Sequence, residues 1–387
     1  MKITDVVAYA VKYPQEYLFT GPTAAQTDYF IRPGFPTVYS RNNEALLVRI
    51  ETDHGLVGWG EALAPVVPEA VAAIVVRLLR PLVLGADPCD VEVLWNRMYD
   101  SMRVRGHLTG LFIDAAAAVD IALWDLFGQA VKQPVSRLLG GRQRERLKVY
   151  HSGVAGNSPE ERATTARQLV AQGFRALKFH LGHSPSDDIA SIAAAREAVG
   201  GDVALMLDTH WTYSVNEAMQ IGQKVEPYGL LFFEAPIIPE DTAGHAALAQ
   251  ALAVPIAIGE GERSRWQFLN LLQARAVDVA QPDIGRTGLT EGRRIAVLTE
   301  AFNVPVAPHV STGLGIRFAA TLHYGAALSN FLILEHQGKL LDAINASLTE
   351  PITVQGSEIV VPSGPGLGVT LKESAVSPYW TAYRATD

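Results

Sequence analysis

One interval governs how this chain can fold. Asp208 to Glu234 is 26 residues, Glu234 to Glu260 is 26, Asp283 to His309 is 26 and His309 to Glu335 is 26. Each of these polar residues closes a short apolar run. The runs are LKVYH, ALKFH, VALMLDTH, LLFFEAP, IAIGE, VDVAQPD, VPVAPH and FLILEH, and between them lie helix-patterned stretches such as PEERATTARQLVAQG, SIAAAREAVG and TEGRRIAVLTEAF. A strand followed by a helix, repeated at one step length, predicts parallel strands with right-handed crossovers. Eight such units suit a closed barrel better than an open sheet.

In a barrel the C-terminal ends of all strands meet at one mouth, where catalytic groups of that architecture sit. Asp208, Glu234 and Glu260 end three consecutive runs. Three carboxylates that close repel unless something positive lies between them, and an oxygen-only donor set selects a hard cation such as Mg2+. Taken singly, each acid also suits the N-terminus of the following helix. Glu262 lies beside Glu260, but Glu260 closes the apolar run and keeps the step. Asp283 and His309 end the next two units. A carboxylate bonded to one imidazole nitrogen orients the ring and makes the other nitrogen a better base. Lys178 and His180 flank Phe179, so period-two alternation points both inward, with Phe179 toward the helices. A buried lysine needs a task, either general base or charge partner of the carboxylates. His210, two residues after Asp208, also points into the mouth. Glu335, if protonated, suits donation to a developing oxyanion.

Ahead of the metered region the pattern changes. Residues 1–60 alternate in ITDVVAYAV and ALLVRIETDHGLVGWGE, with a turn at Asp53-His54-Gly55 that predicts a hairpin. From about 66 to 130 the period is helical. The first 130 residues therefore read as a small α+β domain, 131–345 as the barrel, and 346–387 as a tail whose alternation returns it to the first domain. The long stretch between Pro14 and Asn43 carries Tyr17, Phe19, Tyr29, Phe30 and Tyr39 and suits either the cover of a pocket or plain packing.

Net charge is −8 with no basic run, which argues against nucleic acid as a partner. No apolar stretch reaches membrane length. One cysteine, Cys89, excludes an internal disulfide and a cysteine zinc site and agrees with a cytoplasmic setting. No glycine-rich nucleotide fingerprint and no Gly-x-Ser-x-Gly elbow is present.

The segments VRIETDHGLVGWGEA, VDIALWDLFGQAVKQPVSRLLGG, QPDIGRTGLTEG, VAPHVSTG and PSGPGLGV, together with the Asp-Glu-Glu ladder, resemble the mandelate racemase subgroup of the enolase superfamily over essentially the whole chain. The resemblance implies a (β/α)7β modified TIM barrel, an α/β fold, under an α+β N-terminal capping domain completed by the C-terminal tail. It also implies Mg2+ and abstraction of a proton α to a carboxylate. Carried over by position, Asp208, Glu234 and Glu260 match the metal ligands, His309 with Asp283 the base dyad, and Glu335 the last-strand carboxylate. Members are homo-oligomers, octamers among them. Many carry Lys-x-Lys where this chain has Lys178-Phe179-His180. The pair Asp208-x-His210 resembles sugar-acid dehydratases such as galactonate and mannonate dehydratases, in which that histidine is the acid.

The reaction expected is dehydration of a sugar acid, an aldonate or aldarate, to a 2-keto-3-deoxy acid, with a small-molecule carboxylate as substrate and a homo-oligomer as the assembly. The alternatives are a racemase or epimerase, a cycloisomerase acting on a sugar lactone, and a catalytically silent binding protein on the same fold. The full set of ligand and base residues argues against the last.

Overall fold

The computed structural model describes residues 1–14, 28–31 and 37–385. Tyr17 and Phe19 lie outside them. The N-terminal sheet is built from alternating sequence. Strand β1 (Ile3–Pro14) pairs antiparallel with β4 (Asn42–Thr52), which turns at residues 53–55 into β5 (Val57–Ala62). A short hairpin, β2 (Tyr29–Ile31) with β3 (Val38–Ser40), interrupts the path between β1 and β4, and in it Phe30 packs on Tyr39. The helix Leu111–Ala130 lies against this sheet. Its AAAA stretch and the glycines of β5 let the two backbones come close, because any Cβ at Gly60 would fall 1.8 Å from the Ala118 carbonyl oxygen.

Below the sheet run β6 (Arg146–Ser152), β7 (Ala176–His180), β8 (Ala204–Asp208), β9 (Leu230–Glu234), β10 (Ile256–Ile258) and β11 (Val279–Ala280), each parallel to the one before. The seventh run, VPVAPH, forms no regular strand. Pro305 and Pro308 have no N–H to give a ladder, and Val306 alone bridges Ala280 on one side and Phe331 on the other. The eighth, β12 (Leu334–His336), pairs with β6 and completes the circuit. Seven helices intervene between eight strand positions, which is the (β/α)7β order. The sequence starts these helices locally. Ser158, Ser184, Ser214, Asp241 and Ser264 each accept the backbone N–H three residues on, filling donors a helix start leaves open.

After the barrel, β13 (Val354–Gln355) and β14 (Glu358–Val360) form a hairpin whose second strand pairs with the start of β6. The segment around Gly366 exchanges backbone bonds with Gln133 and Val135, and Asp125 accepts from Leu367 N–H, so PSGPGLGV fastens the tail to the long helix. The last strand, β15 (Trp380–Tyr383), pairs with β1. Among the described residues no helix is long and apolar enough to cross a membrane.

Candidate active site

Eight residues, one per strand position, fill the lower barrel: Tyr150, Ala176, Met206, Phe232, Ala257, Val279, Ala307 and Ile333. Two residues further along the same strands stand Ser152, Lys178, Asp208, Glu234, Gln281, His309 and Glu335, and Glu260 stands three beyond Ala257. Period two keeps both sets facing inward, Glu260 excepted because it lies beyond the end of its strand, so the apolar layer carries a polar one directly above it.

Lys178 is fully buried at the centre of this layer. Its ammonium donates to both oxygens of Glu234 at 3.0 and 2.8 Å and lies 3.2 Å from Glu335 and 3.8 Å from Asp208. Burial alone would strip its proton, but these carboxylates overcome that and hold it well above the ordinary lysine range. Here Lys178 is the charge partner of the cluster. Burial pushes Glu234 up to about 8, with Lys178 opposing and Asp208, Glu335 and Glu260 adding to the rise. For Glu335 burial is outweighed by Lys178 and the histidines, which bring it down to about 2.

On one flank His180 Nδ1 lies 2.9 Å and His210 Nδ1 3.5 Å from the two oxygens of Asp208. These histidines and Asp208 form a group whose donor atoms lie within 4.8 Å of one another. They hold the Asp208 carboxyl well below its usual range despite burial. His210 reaches Asp208 by a turn and not by the pleat of β8. The strand ends at Asp208, and His210 and Trp211 both take left-handed backbone, φ 53° and 59°, an uncommon conformation that marks functional segments. On the other flank His309 Nδ1 bonds Asp283 at 2.7 Å, while Nε2 faces Glu260 at 3.1 Å and Glu335 at 3.9 Å. Burial works against its proton, but Glu260, Asp283 and Glu335 together raise it to about 9. Asp283 also caps the following helix through Gly285 N–H, so a helix-capping role and a place in the site coexist in one carboxylate.

Ser152 and Gln281 were not expected from the spacing. Ser152 Oγ donates to Glu335 at 2.6 Å and lies 2.8 Å from His180 Nε2, and Gln281 donates to Glu234 at 2.8 Å. Both lie on the inward period-two positions, Gln281 two before Asp283 and Ser152 two after Tyr150; the same alternation that singled out Lys178 finds them.

A small cleft opens beside Glu234 and Glu260, lined also by Trp211, Gly259, Glu262 and Gln281. The buried Gln281 Oε1 has no partner. Carboxylates from three successive units, now neutralised by a lysine and histidines, with a spare amide oxygen among them, fit a hard divalent cation. Among the described residues the donors of His180, Asp208 and His210 are the ones that lie within 4.8 Å of one another, and Glu234 and Glu260 fall outside that group.

Two family models match the chain: the mandelate racemase / muconate lactonizing enzyme N-terminal domain over residues 31–140, and the enolase C-terminal domain-like family over 161–375. The chain is 35% identical over 347 residues to D-galactarolactone cycloisomerase of Agrobacterium fabrum, covering 86% of this chain and 90% of that protein. It is also 35% identical over 341 residues to arabinonate dehydratase of Saccharolobus solfataricus, covering 87% and 90%. A crystal structure of an enolase-superfamily member from Agrobacterium tumefaciens superposes with a TM-score of 0.94 at 32% identity, covering 99% of both chains. The N-terminal and barrel parts of the chain are thus matched in sequence and the whole chain in fold, and the chain belongs to the mandelate racemase / muconate lactonizing enzyme family of the enolase superfamily, a family of divalent-metal enzymes.

Proposed function

We propose that this enzyme dehydrates a sugar acid to a 2-keto-3-deoxy acid. The observation that carries the reading is the separation of two proton-handling groups across one carboxylate cluster, His309 with Asp283 on one flank and His180 with His210 on the other. Elimination of water needs a base at the α-carbon and an acid at the departing hydroxyl. Asp208, Glu234 and Glu260 would hold a divalent cation, Mg2+ in this reading, which when bound would supply positive charge beside the substrate carboxylate. His309 in its neutral form takes the α-proton at Nε2, and Asp283 keeps the ring oriented through Nδ1. His210 gives a proton to the 3-hydroxyl, the C3–O bond breaks with its electron pair going to oxygen, and water leaves. The enol so formed becomes the 2-keto acid. Lys178 supports the cluster as a fixed charge, and Ser152 holds Glu335 against His180.

The names of the relatives, an arabinonate dehydratase and a D-galactarolactone cycloisomerase, agree with chemistry that begins at such an α-carbon. The lone cysteine, Cys89, is free, which agrees with the cytoplasm. A homo-oligomer, an octamer among the candidates, belongs to the same reading.

The test is a panel of aldonic and aldaric acids and their lactones, incubated with Mg2+ in deuterated water and followed by proton NMR and keto-acid detection. A keto-acid product from one of them is expected, and His210→Asn should slow loss of the hydroxyl while exchange of the α-proton continues. Ring opening of a lactone, or an α-epimer without any keto acid, overturns dehydration.

A further inference from the structure

The base dyad is gripped by a residue that the proposed chemistry leaves unused. Arg317 lies in the first turn of the helix Gly315–Ala327 and is 3% exposed. Its Nη1 donates to both oxygens of Asp283, at 3.1 and 3.0 Å. Its Nη2 donates to the carbonyls of Ser311 and Thr312, at 2.6 and 2.5 Å. Asp283 Oδ2 is thereby shared between Arg317 and His309, and Oδ1 between Arg317 and Gly285 N–H. The carboxylate is fixed at every lone-pair direction that matters for its bond to His309.

Arg317 is in turn set by the other domain. Glu61, at the end of β5, is fully buried and accepts the backbone N–H groups of Leu314 and Arg317, at the start of that helix. Asn43 donates to the Gly313 carbonyl at 3.0 Å, and Leu63 N–H to the Gly285 carbonyl at 3.0 Å. The approach is so close that a Cβ at Gly285 would fall 2.1 Å from Arg317 Cδ, and one at Gly313 2.6 Å from Glu61 Oε1. Two glycines, Gly285 in the first turn of the helix that Asp283 caps and Gly313 in the loop after His309, make room for this single guanidinium. The burial of one cation between the carboxylates of Glu61 and Asp283 is costly unless its geometry is used.

We propose that Arg317 is the positioning residue of the His309–Asp283 base and that Glu61 makes its alignment depend on the seating of the N-terminal domain. The inference rests on reading His309 as the base. A guanidinium suits the task where an ammonium does not. It is a rigid fork that binds a carboxylate with one arm and two carbonyls with the other, whereas lysine is a point charge. With the fork in place Asp283 stays ionised and its plane is set, so His309 presents Nε2 to substrate in one orientation.

The test uses full-length protein with 15N-labelled histidine. The hydrogen-bonded Nδ1–H proton of His309 is identified by its loss in His309→Asn. In Arg317→Met that resonance should disappear into exchange with water. In Arg317→Lys it should persist with weaker protection, and in Glu61→Gln it should shift in the same direction by less. On the acid found by the substrate panel, Arg317→Met should lose about 10–100-fold in kcat, the range for groups that orient a catalytic or metal-bound side chain, with KM held. Arg317→Lys should recover part of it. An unchanged resonance with unchanged kcat in Arg317→Met overturns the proposal. If Arg317→Met does not fold, as circular dichroism will show, unchanged resonances in both Arg317→Lys and Glu61→Gln overturn it. Failure of the base reading looks different: His309→Asn would keep turning over while the Nδ1–H signal still answered to Arg317.

Discussion

The lower and upper halves of the barrel interior are drawn from the same strands two residues apart, and they could hardly differ more. Below, Tyr150, Met206, Phe232 and Ile333 make an apolar plug. Above, Ser152, Asp208, Glu234 and Glu335 make a buried ionic mouth with Lys178 at its centre. Two residues of strand span about 6.6 Å, so the change from oil-like to charged surroundings takes place within one pleat. The lower layer excludes water from beneath, which strengthens every interaction above it. The upper layer gains nothing for stability by itself, since burying charges costs about what their attraction returns. The plug holds the fold and the mouth carries the chemistry, and four measurements sharpen or break that division.

The largest effect is expected for Glu234→Gln. It replaces a charged donor with a neutral one of the same shape, so turnover and the thermal stabilisation given by added Mg2+ should both vanish while the cooperative melt persists. Activity that survives in this variant, or that ignores a chelator in the parent, breaks the metal reading. Asp283→Asn comes next. The amide keeps the volume but favours the wrong tautomer of His309, and a fall in kcat on the order of 10²–10⁴ with little change in KM is expected. A change confined to KM would make His309 a binding residue.

Phe232→Ala addresses the plug. The side chain is fully buried, and truncation should cost about 3–5 kcal/mol of unfolding free energy, read from denaturant midpoints, with kcat of the folded fraction retained. A variant of parental stability and crippled kcat would reverse the assignment of the two layers. The smallest effect concerns pH and lies away from the mouth. His323 accepts Ser136 N–H at Nδ1 and faces the Leu367 carbonyl from Nε2 at 2.9 Å, and burial pushes it down from 6.5 to about 4. The unfolded chain therefore binds a proton here at a higher pH than the folded one. Its contribution is complete above pH 6.5 and is lost as pH falls from there toward 4, up to about 3 kcal/mol. His323→Gln should flatten that part of the stability curve; an equal acid-side fall in parent and variant removes His323 as the cause.

Much of this was legible in residues 1–387 before any coordinate. The 26-residue step placed eight strand positions, and the structure has them, with the seventh reduced to Val306 because prolines on either side withhold N–H groups. Alternation around Asp53–Gly55 announced the β4–β5 turn. The step named Asp208, Glu234, Glu260, Asp283, His309 and Glu335 as strand ends, and alternation added Lys178, His180 and His210; in the structure Lys178, His180 and His210 lie against Asp208, and His309 lies against Asp283 and Glu260.

What repeats in the chain was set by the chain itself: strand length, inward direction and the polarity of each strand end are local properties, fixed by a pleat of period two and a unit of constant length. Which neighbour each group chooses was decided only by the tertiary structure. That Lys178 places its ammonium against Glu234, that Glu260 leans to His309, and that Arg317 and Glu61, 256 residues apart, share one hydrogen bond beside Asp283 are outcomes of distances closed by the whole barrel. Electrostatic energy depends on separation and burial in space, and neither is written in a spacing along the chain.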